Sequence, residues 1–256
     1  MQREQLLGTF DLTGRTTIVT GGSRGIGRSI AHGFAAMGAH VVVASRKAEA
    51  CTTVVDEIRV EGGSALAVPT HVGDPGQLEA LVAATVAEFG GVDVVVNNAA
   101  NPLALPIGTI TPEALAKSYE ANLRGPLLLV QHALPHLRAS DHASIINVIT
   151  AGVFTQGAYV AMYVAMKTAL GAMTRAMAAE LAPDGIRANA IAPGTVATDM
   201  VFAMPEDFQA AAVDAQLIKR MASPDEMVPA ALFLASDASS FMTAQTIVVD
   251  GGMTVH

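Results

Sequence analysis

The sequence predicts an α/β protein: a doubly wound, seven-stranded and mainly parallel sheet with helices on both faces. Three observations carry this. Short β-branched runs alternate with longer segments of helical periodicity. Several runs are apolar at nearly every position, as strands covered on both faces must be. A glycine-rich turn joins the first run to the first helix.

The strands are expected at residues 16–20, 40–44, 65–68, 92–97, 143–149, 187–191 and 246–249. Helix starts are marked by Asp74-Pro75, Thr111-Pro112 and Ser223-Pro224, each a capping side chain before a proline suited to the first helical position. Gln77 and Glu226 are placed to complete capping boxes. Residues 195–221 are the least regular stretch and carry Met200, Phe202, Met204 and Phe208; a substrate-binding lid and an ordinary surface helix both fit it. No linker, charge block or fixed-period repeat divides the chain, so residues 1–256 read as a single domain.

The chain is 51% apolar and 15% charged, which excludes disorder and suits a compact or oligomeric body. A formal charge of -8 offers no field for nucleic acid or anionic lipid. Cys51 is the only cysteine, so no internal disulfide forms, and its expected role is packing in a reducing compartment. Residues 1–11 include Arg3, Glu4 and Asp11 and hold no unbroken apolar stretch, so no signal peptide or membrane anchor is expected and the protein reads as cytoplasmic. His132 and His136 stand four apart, but the Glu of H-E-x-x-H is absent and Pro135 is expected to interrupt the turn, so no catalytic metal is predicted.

Thr20-Gly21-Gly22-Ser23-Arg24-Gly25-Ile26-Gly27 has the context of a Rossmann-like phosphate-binding turn, a strand before it and a helix after. Gly21 permits a backbone dihedral closed to other residues, Gly25 a close approach of pyrophosphate, and Gly27 tight packing of helix on sheet. The second strand ends in Val43-Ala44-Ser45-Arg46-Lys47, with no carboxylate to bind a ribose hydroxyl. Arg24 and Arg46 could instead converge on a 2′-phosphate, so NADP(H) is predicted over NAD(H).

Tyr163 and Lys167 stand four apart on a helix and project from one face. A phenol with a pKa of about 10 is a poor base near neutrality, and an adjacent ammonium is expected to favour the phenolate. With the glycine turn, Asn97-Asn98-Ala99, Asn122, and Pro193-Gly194 with Thr198 in this order, the chain resembles the short-chain dehydrogenase/reductase family from about Thr13 to Gly252. Some segments are similar to 3-oxoacyl-carrier-protein reductases and others to NADPH-dependent carbonyl or retinal reductases.

The resemblance implies that Tyr163 is the proton donor or acceptor, that Lys167 holds the nicotinamide ribose and lowers the tyrosine pKa, and that Asn122 supports a water in a proton relay. It places Gly21, Ser23, Arg24 and Ile26 around the phosphates, Asn98 at the ribose, and Val196 and Thr198 at the carboxamide. The cofactor-binding set also takes in Ser45 beside Arg46, Val72 beside His71, and Pro193 and Gly194. Thr150 departs from the family, standing where a serine is usual; it keeps the hydroxyl that donates to a carbonyl oxygen, but its methyl narrows the pocket. Ala100 replaces a glycine, and His71 could accept the adenine amino group through a neutral ring nitrogen.

The expected reaction interconverts a ketone and a secondary alcohol on a small-molecule substrate, in a homotetramer or dimer. A catalytically idle NADP-binding sensor or scaffold with the same fold is the alternative.

Overall fold

In the computed structural model, which describes residues 2–254, the two periodicities resolve into strands and helices in strict alternation over most of the chain. A short α1 (Arg3–Gly8) precedes β1 (Thr16–Thr20), α2 (Gly25–Ala36), β2 (His40–Ser45), α3 (Ala48–Val60), β3 (Ser64–Pro69), α4 (Pro75–Phe89) and β4 (Val94–Asn97). Then follow α5 (Pro112–Tyr119), a π-helical turn (Glu120–Arg124), α6 (Gly125–Arg138), β5 (Ser144–Val148), α7 (Ala161–Leu181) and β6 (Arg187–Pro193). Two short helices, α8 (Asp199–Phe202) and α9 (Glu206–Asp214), lead to α10 (Val228–Ala235) and β7 (Thr246–Val249).

All seven strands are parallel, in the order β3-β2-β1-β4-β5-β6-β7. Alternate side chains of a strand face opposite ways, and both ways lead to helices. Val19, Val41, Val43, Val94 and Val96 pack with Ile30 and Phe34 of α2, Val54 and Ile58 of α3, and Leu234 of α10. Ile18, Val42, Val95 and Ile145 pack with Leu78 of α4, Leu129 of α6 and Met177 of α7. Burial on both sides is why the strand sequences lack alternation. Cys51 packs in the first of these layers, as expected, and burial pushes its thiol pKa up.

The strand order reverses between β1 and β4, which opens a crevice at the carboxyl ends of the strands. β4 begins at Val94, later than expected, because the Asp93 carboxylate rather than a strand neighbour takes the Thr16 N–H at 2.7 Å. β6 runs on to Pro193 because β7 pairs with it as far as Pro193 and Val249.

The three capping signals start helical segments where expected. Asp74 accepts from the Gly76 and Gln77 N–H groups, Thr111 accepts from Ala114, and Glu226 takes the Ser223 N–H at 2.8 Å where a 3-10 turn leads into α10. Gln77 does not close a box on Asp74. Its carbonyl takes the His71 N–H at 2.8 Å, and its amide donates to Asp74 at 2.9 Å. Pro135 does not interrupt α6, because it lies in the last turn, where the helix forgoes one N–H bond and continues to Arg138. Residues 195–221 form α8 and α9 and are tied at the base by Gln216, which accepts from Thr195 N–H at 3.1 Å and donates to Arg220 O at 2.7 Å.

A buried polar chain crosses beneath the crevice. Asn97 donates to Asn147 at 2.9 Å, Asn147 to Thr174 at 2.9 Å, and Thr174 to Leu170 O at 2.8 Å, so β4, β5 and α7 are held in register by side chains. Asn147→Ala leaves the Asn97 amide unpaired and is expected to cost about 1–3 kcal/mol in urea unfolding; a loss below about 0.5 kcal/mol, the range of an ordinary surface change, would contradict this role.

Candidate active site

The glycine turn is shaped by what the end of β1 can bond. Gly21 takes a φ of +66°, its N–H reaches Ala44 O at 2.7 Å, and α2 then starts at Gly25 with first-turn N–H groups lacking helical partners. Thr20 donates to Val96 O at 3.1 Å and accepts the Asn98 N–H at 3.0 Å. Asn98 spends both amide hydrogens on the turn, on Thr20 O at 2.9 Å and Gly21 O at 3.3 Å, leaving its side-chain oxygen as an acceptor. Gly27 has no room for a side chain, since a Cβ there would lie 2.3 Å from Gly21 O.

Ser45, Arg46, His71 and Val72 line the crevice at the ends of β2 and β3, and Glu120, which lines it beside Gly73, is paired with Arg124 at 3.2 Å. Arg46 is exposed and has no ion-pair partner among the described residues. Arg24 does not converge with it. Its guanidinium pairs with Asp199 of α8 at 3.2 Å, in the open, because the glycine turn faces that helix. His71 also differs from expectation: its Nδ1 accepts the Gly73 N–H at 3.0 Å, so in the neutral ring Nε2 carries the hydrogen and donates. His71 therefore offers adenine a donor rather than an acceptor.

Asn122 lies in the π-helical turn, where the helical backbone runs unbroken from α5 into α6. It is fully buried, donates to Asn101 O at 2.8 Å and Ser118 O at 3.0 Å, and accepts the Asn101 N–H at 3.2 Å. The turn packs closely on the segment after β3: a Cβ on Gly125 would lie 2.4 Å from Val72 O, and Arg124 donates to Gly73 O at 2.6 Å. The side chain thus fixes the loop after β4.

Thr150 follows β5 and is half-buried in the crevice wall. Its Oγ1 accepts the Gly152 N–H at 3.2 Å, which orients the oxygen and leaves the hydroxyl hydrogen to donate. Tyr163 and Lys167 line the same cavity from α7. Lys167 is 1% exposed, donates to Val148 O at 2.7 Å, and lies 6.0 Å from the Tyr163 ring centre. Burial pushes the Lys167 pKa down to about 7 and the Tyr163 phenol up to about 12. Desolvation sets the direction for both groups, opposite to the lowering that the lysine's charge alone would bring to the tyrosine.

These side chains share one cavity of about 1280 Å³ with Gly21, Arg24, Ile26, Asn98, Pro193, Gly194, Val196 and Thr198. That is room for a dinucleotide and a small substrate. Ser23 and Asn122 fall outside the lining. Sequence pattern carried no signal for Thr70, Lys117 or Glu120, which line it, since none belongs to a motif. Gln156 and Met204 also line it, whereas Phe154 and Phe202 do not. Among the described residues no group of His, Cys, Asp and Glu side chains could hold a metal, and no helix is long and apolar enough to cross a membrane.

Residues 21–254 match the family model described as enoyl-(acyl carrier protein) reductase. The chain is 40% identical over 245 residues to the short-chain dehydrogenase/reductase SDRA of Arabidopsis thaliana, covering 94% of this chain and 95% of that relative. A short-chain type dehydrogenase/reductase from Mycobacterium marinum superposes with a TM-score of 0.93 at 34% identity, covering 98% of this chain and 100% of the other. A 3-oxoacyl (acyl-carrier-protein) reductase from Agrobacterium tumefaciens C58, solved with NADP bound, superposes with a TM-score of 0.90 at 34% identity over 98% of each chain.

The displaced lysine pKa makes a stability prediction. An unfolded lysine titrates near 10.5 and the folded Lys167 near 7, so between these values the unfolded chain holds more protons. Stability therefore rises with pH through that window, and the burial penalty is full below it. Lys167→Met should raise Tm over wild type by about 4 °C or more at pH 6, with the gap closing towards pH 10. A variant melting below wild type at pH 6 would refute a charge-burial penalty at this site.

Proposed function

The chain belongs to the short-chain dehydrogenase/reductase family, and on that premise we propose that it is an NADP(H)-dependent oxidoreductase interconverting a ketone and a secondary alcohol. The observation that carries the reading is that Tyr163, Lys167 and Thr150 line one cavity with the glycine turn and Arg46. The residues present fit a phosphorylated dinucleotide. The turn leaves no space for side chains at Gly21 and Gly27, the first turn of α2 offers N–H groups to a pyrophosphate, and Arg46 makes no ion pair among the described residues. Arg46 would hold the 2′-phosphate, Asn98 Oδ1 a ribose hydroxyl, and His71 would donate to the adenine ring. Val196 and Thr198 would meet the carboxamide.

The bound nicotinamide would supply or accept the hydride at the carbonyl carbon. In reduction, Tyr163 gives its proton to the carbonyl oxygen while the Thr150 hydroxyl donates to the same oxygen as charge develops. A phenol held at about 12 is fully protonated near neutrality, as that direction requires. In oxidation, Tyr163 must lose its proton first, and a charged Lys167 lowers the cost of the phenolate. Asn122 positions the loop beside the proton path through Asn101. The chain acts as one cytoplasmic domain with residues 195–221 as its substrate cover. A half-exposed edge strand β7 and an exposed Leu127 on α6 support assembly into a homotetramer or dimer.

The test follows NADPH absorbance across a panel of ketones. Turnover is expected with NADPH faster than NADH, and Tyr163→Phe should lower kcat by about 10²–10⁴-fold while cofactor affinity stays within twofold. A clear NADH preference would overturn the cofactor assignment. Saturable NADPH binding with no turnover of any ketone would select the idle sensor instead.

A further inference from the structure

Beyond Tyr163 and Thr150, the cavity wall changes character. Every lining residue from Gly152 to Val164 and from Met200 to Ala215 is uncharged. On α9 the lining residues Phe208, Ala211 and Ala212, with Ala215 just past its end, recur at the spacing of one helix face. Glu206, Asp207 and Asp214 of the same helix lie outside the lining. No residue of α9 is buried, and Phe208 is 41% exposed, so protein covers this stripe only in part. The stripe is continuous with the wall that holds Tyr163 and Thr150, which identifies its occupant as the body of whatever reacts there.

The charged groups that do reach the cavity are spoken for or lie elsewhere. Arg24 and Asp199 neutralise each other at 3.2 Å, and Glu120 pairs with Arg124 at 3.2 Å. Lys117 on α5 lies one turn after Glu113 on the same helix, away from α9 along the chain, and, after backbone and Thr111 hydrogen bonds, its charge helps hold the Glu113 carboxyl below its usual pKa. Arg46 stands at the end of β2, and Lys167 is buried on Val148 O. Of the polar side chains along the apolar wall, Gln209 is committed to Met204 O at 2.8 Å. An anion placed against α9 would lose its water and gain no cation.

Resting on the oxidoreductase reading, we propose that the substrate is a neutral ketone or alcohol with a bulky apolar body, seated on the Phe208–Ala215 stripe, and that Tyr159 positions the aromatic end of that stripe. Tyr159 is held at a φ of 66°, which a tyrosine adopts only under local strain, and its ring leans on Phe208 at 5.7 Å and 58°. Its neighbours Ala158 and Val160 both line the cavity. The strained turn thus sets the ring against α9, linking the segment before α7 to the helix that carries Phe208. Three alanines behind Phe208 leave the depth that a ring needs.

The experiment compares cyclohexanone with 4-oxocyclohexanecarboxylate, which present the same carbonyl and differ by one carboxylate. With NADPH saturating, kcat/KM is expected to fall at least about 100-fold for the keto acid. Comparable values for the two, or a preference for the acid, would overturn the neutral-substrate assignment while leaving the oxidoreductase reading intact. Reduction of acetone without reduction of cyclohexanone would overturn the bulky-body assignment alone. Turnover of no ketone at all would remove the premise, and the proposal would fall with it.

Tyr159→Gly separates positioning from folding, because glycine relieves the strained φ. Its Tm should be no lower than wild type, with KM for cyclohexanone raised about tenfold and kcat within twofold. An unchanged KM, or a fall in kcat with KM unmoved, would remove Tyr159 from the substrate site.

Discussion

Burial of the Lys167 ammonium is the constraint on which the rest of the site depends. The group is 1% exposed and donates to the Val148 carbonyl at 2.7 Å, at the last residue of β5. That bond fixes the rotation of α7, and Tyr163, one turn earlier, is fixed with it. The same desolvation acts in opposite directions on the two groups, drawing the lysine down to about 7 and pushing the tyrosine up to about 12. Both are therefore biased towards neutrality. A charge on Lys167 is the local influence that makes a phenolate less costly, so the proton equilibrium of the pair is coupled.

The fold supplies this geometry through parallel pairing. Parallel strands bring their carboxyl ends to one edge, and the glycine turn, Arg46, His71, Asn98, Thr150 and Pro193 each follow a different strand to that edge. Side-chain bonds then hold the edge in place. Asn98 closes the glycine turn, Asn122 holds the loop after β4, and the Asn97–Asn147–Thr174 chain ties α7 to the sheet. Each of these asparagines is buried or half-buried with its amide nitrogen donating to a partner, the condition under which polar groups in a core confer order rather than cost.

Much of this was legible in the residues. β1 and β7 fall on the expected boundaries because apolar runs there end at glycine- or polar-rich turns, and the Gly21–Gly27 turn is governed by local backbone freedom. What was not legible arises from contacts distant in sequence. Glu120–Arg124 reads as ordinary helix, and the π turn there has no marker in the residues, while the close approach of Gly125 to Val72 O joins positions far apart in the chain. The Arg24–Asp199 pair joins residues far apart in the chain, and the His71 tautomer is set by a single loop N–H. The direction of the tyrosine shift has a related origin: charge proximity is readable from spacing, whereas desolvation depends on the packed environment.

Tyrosinate absorbance, taken as the difference between wild type and Tyr163→Phe without cofactor, tests that burial most directly. With the phenol held at about 12, no ionisation assignable to Tyr163 should develop up to about pH 10, where an ordinary tyrosine would be half ionised. A Tyr163 signal already complete at about pH 9 would contradict the account, because it would mean that the ammonium, not desolvation, governs the pair.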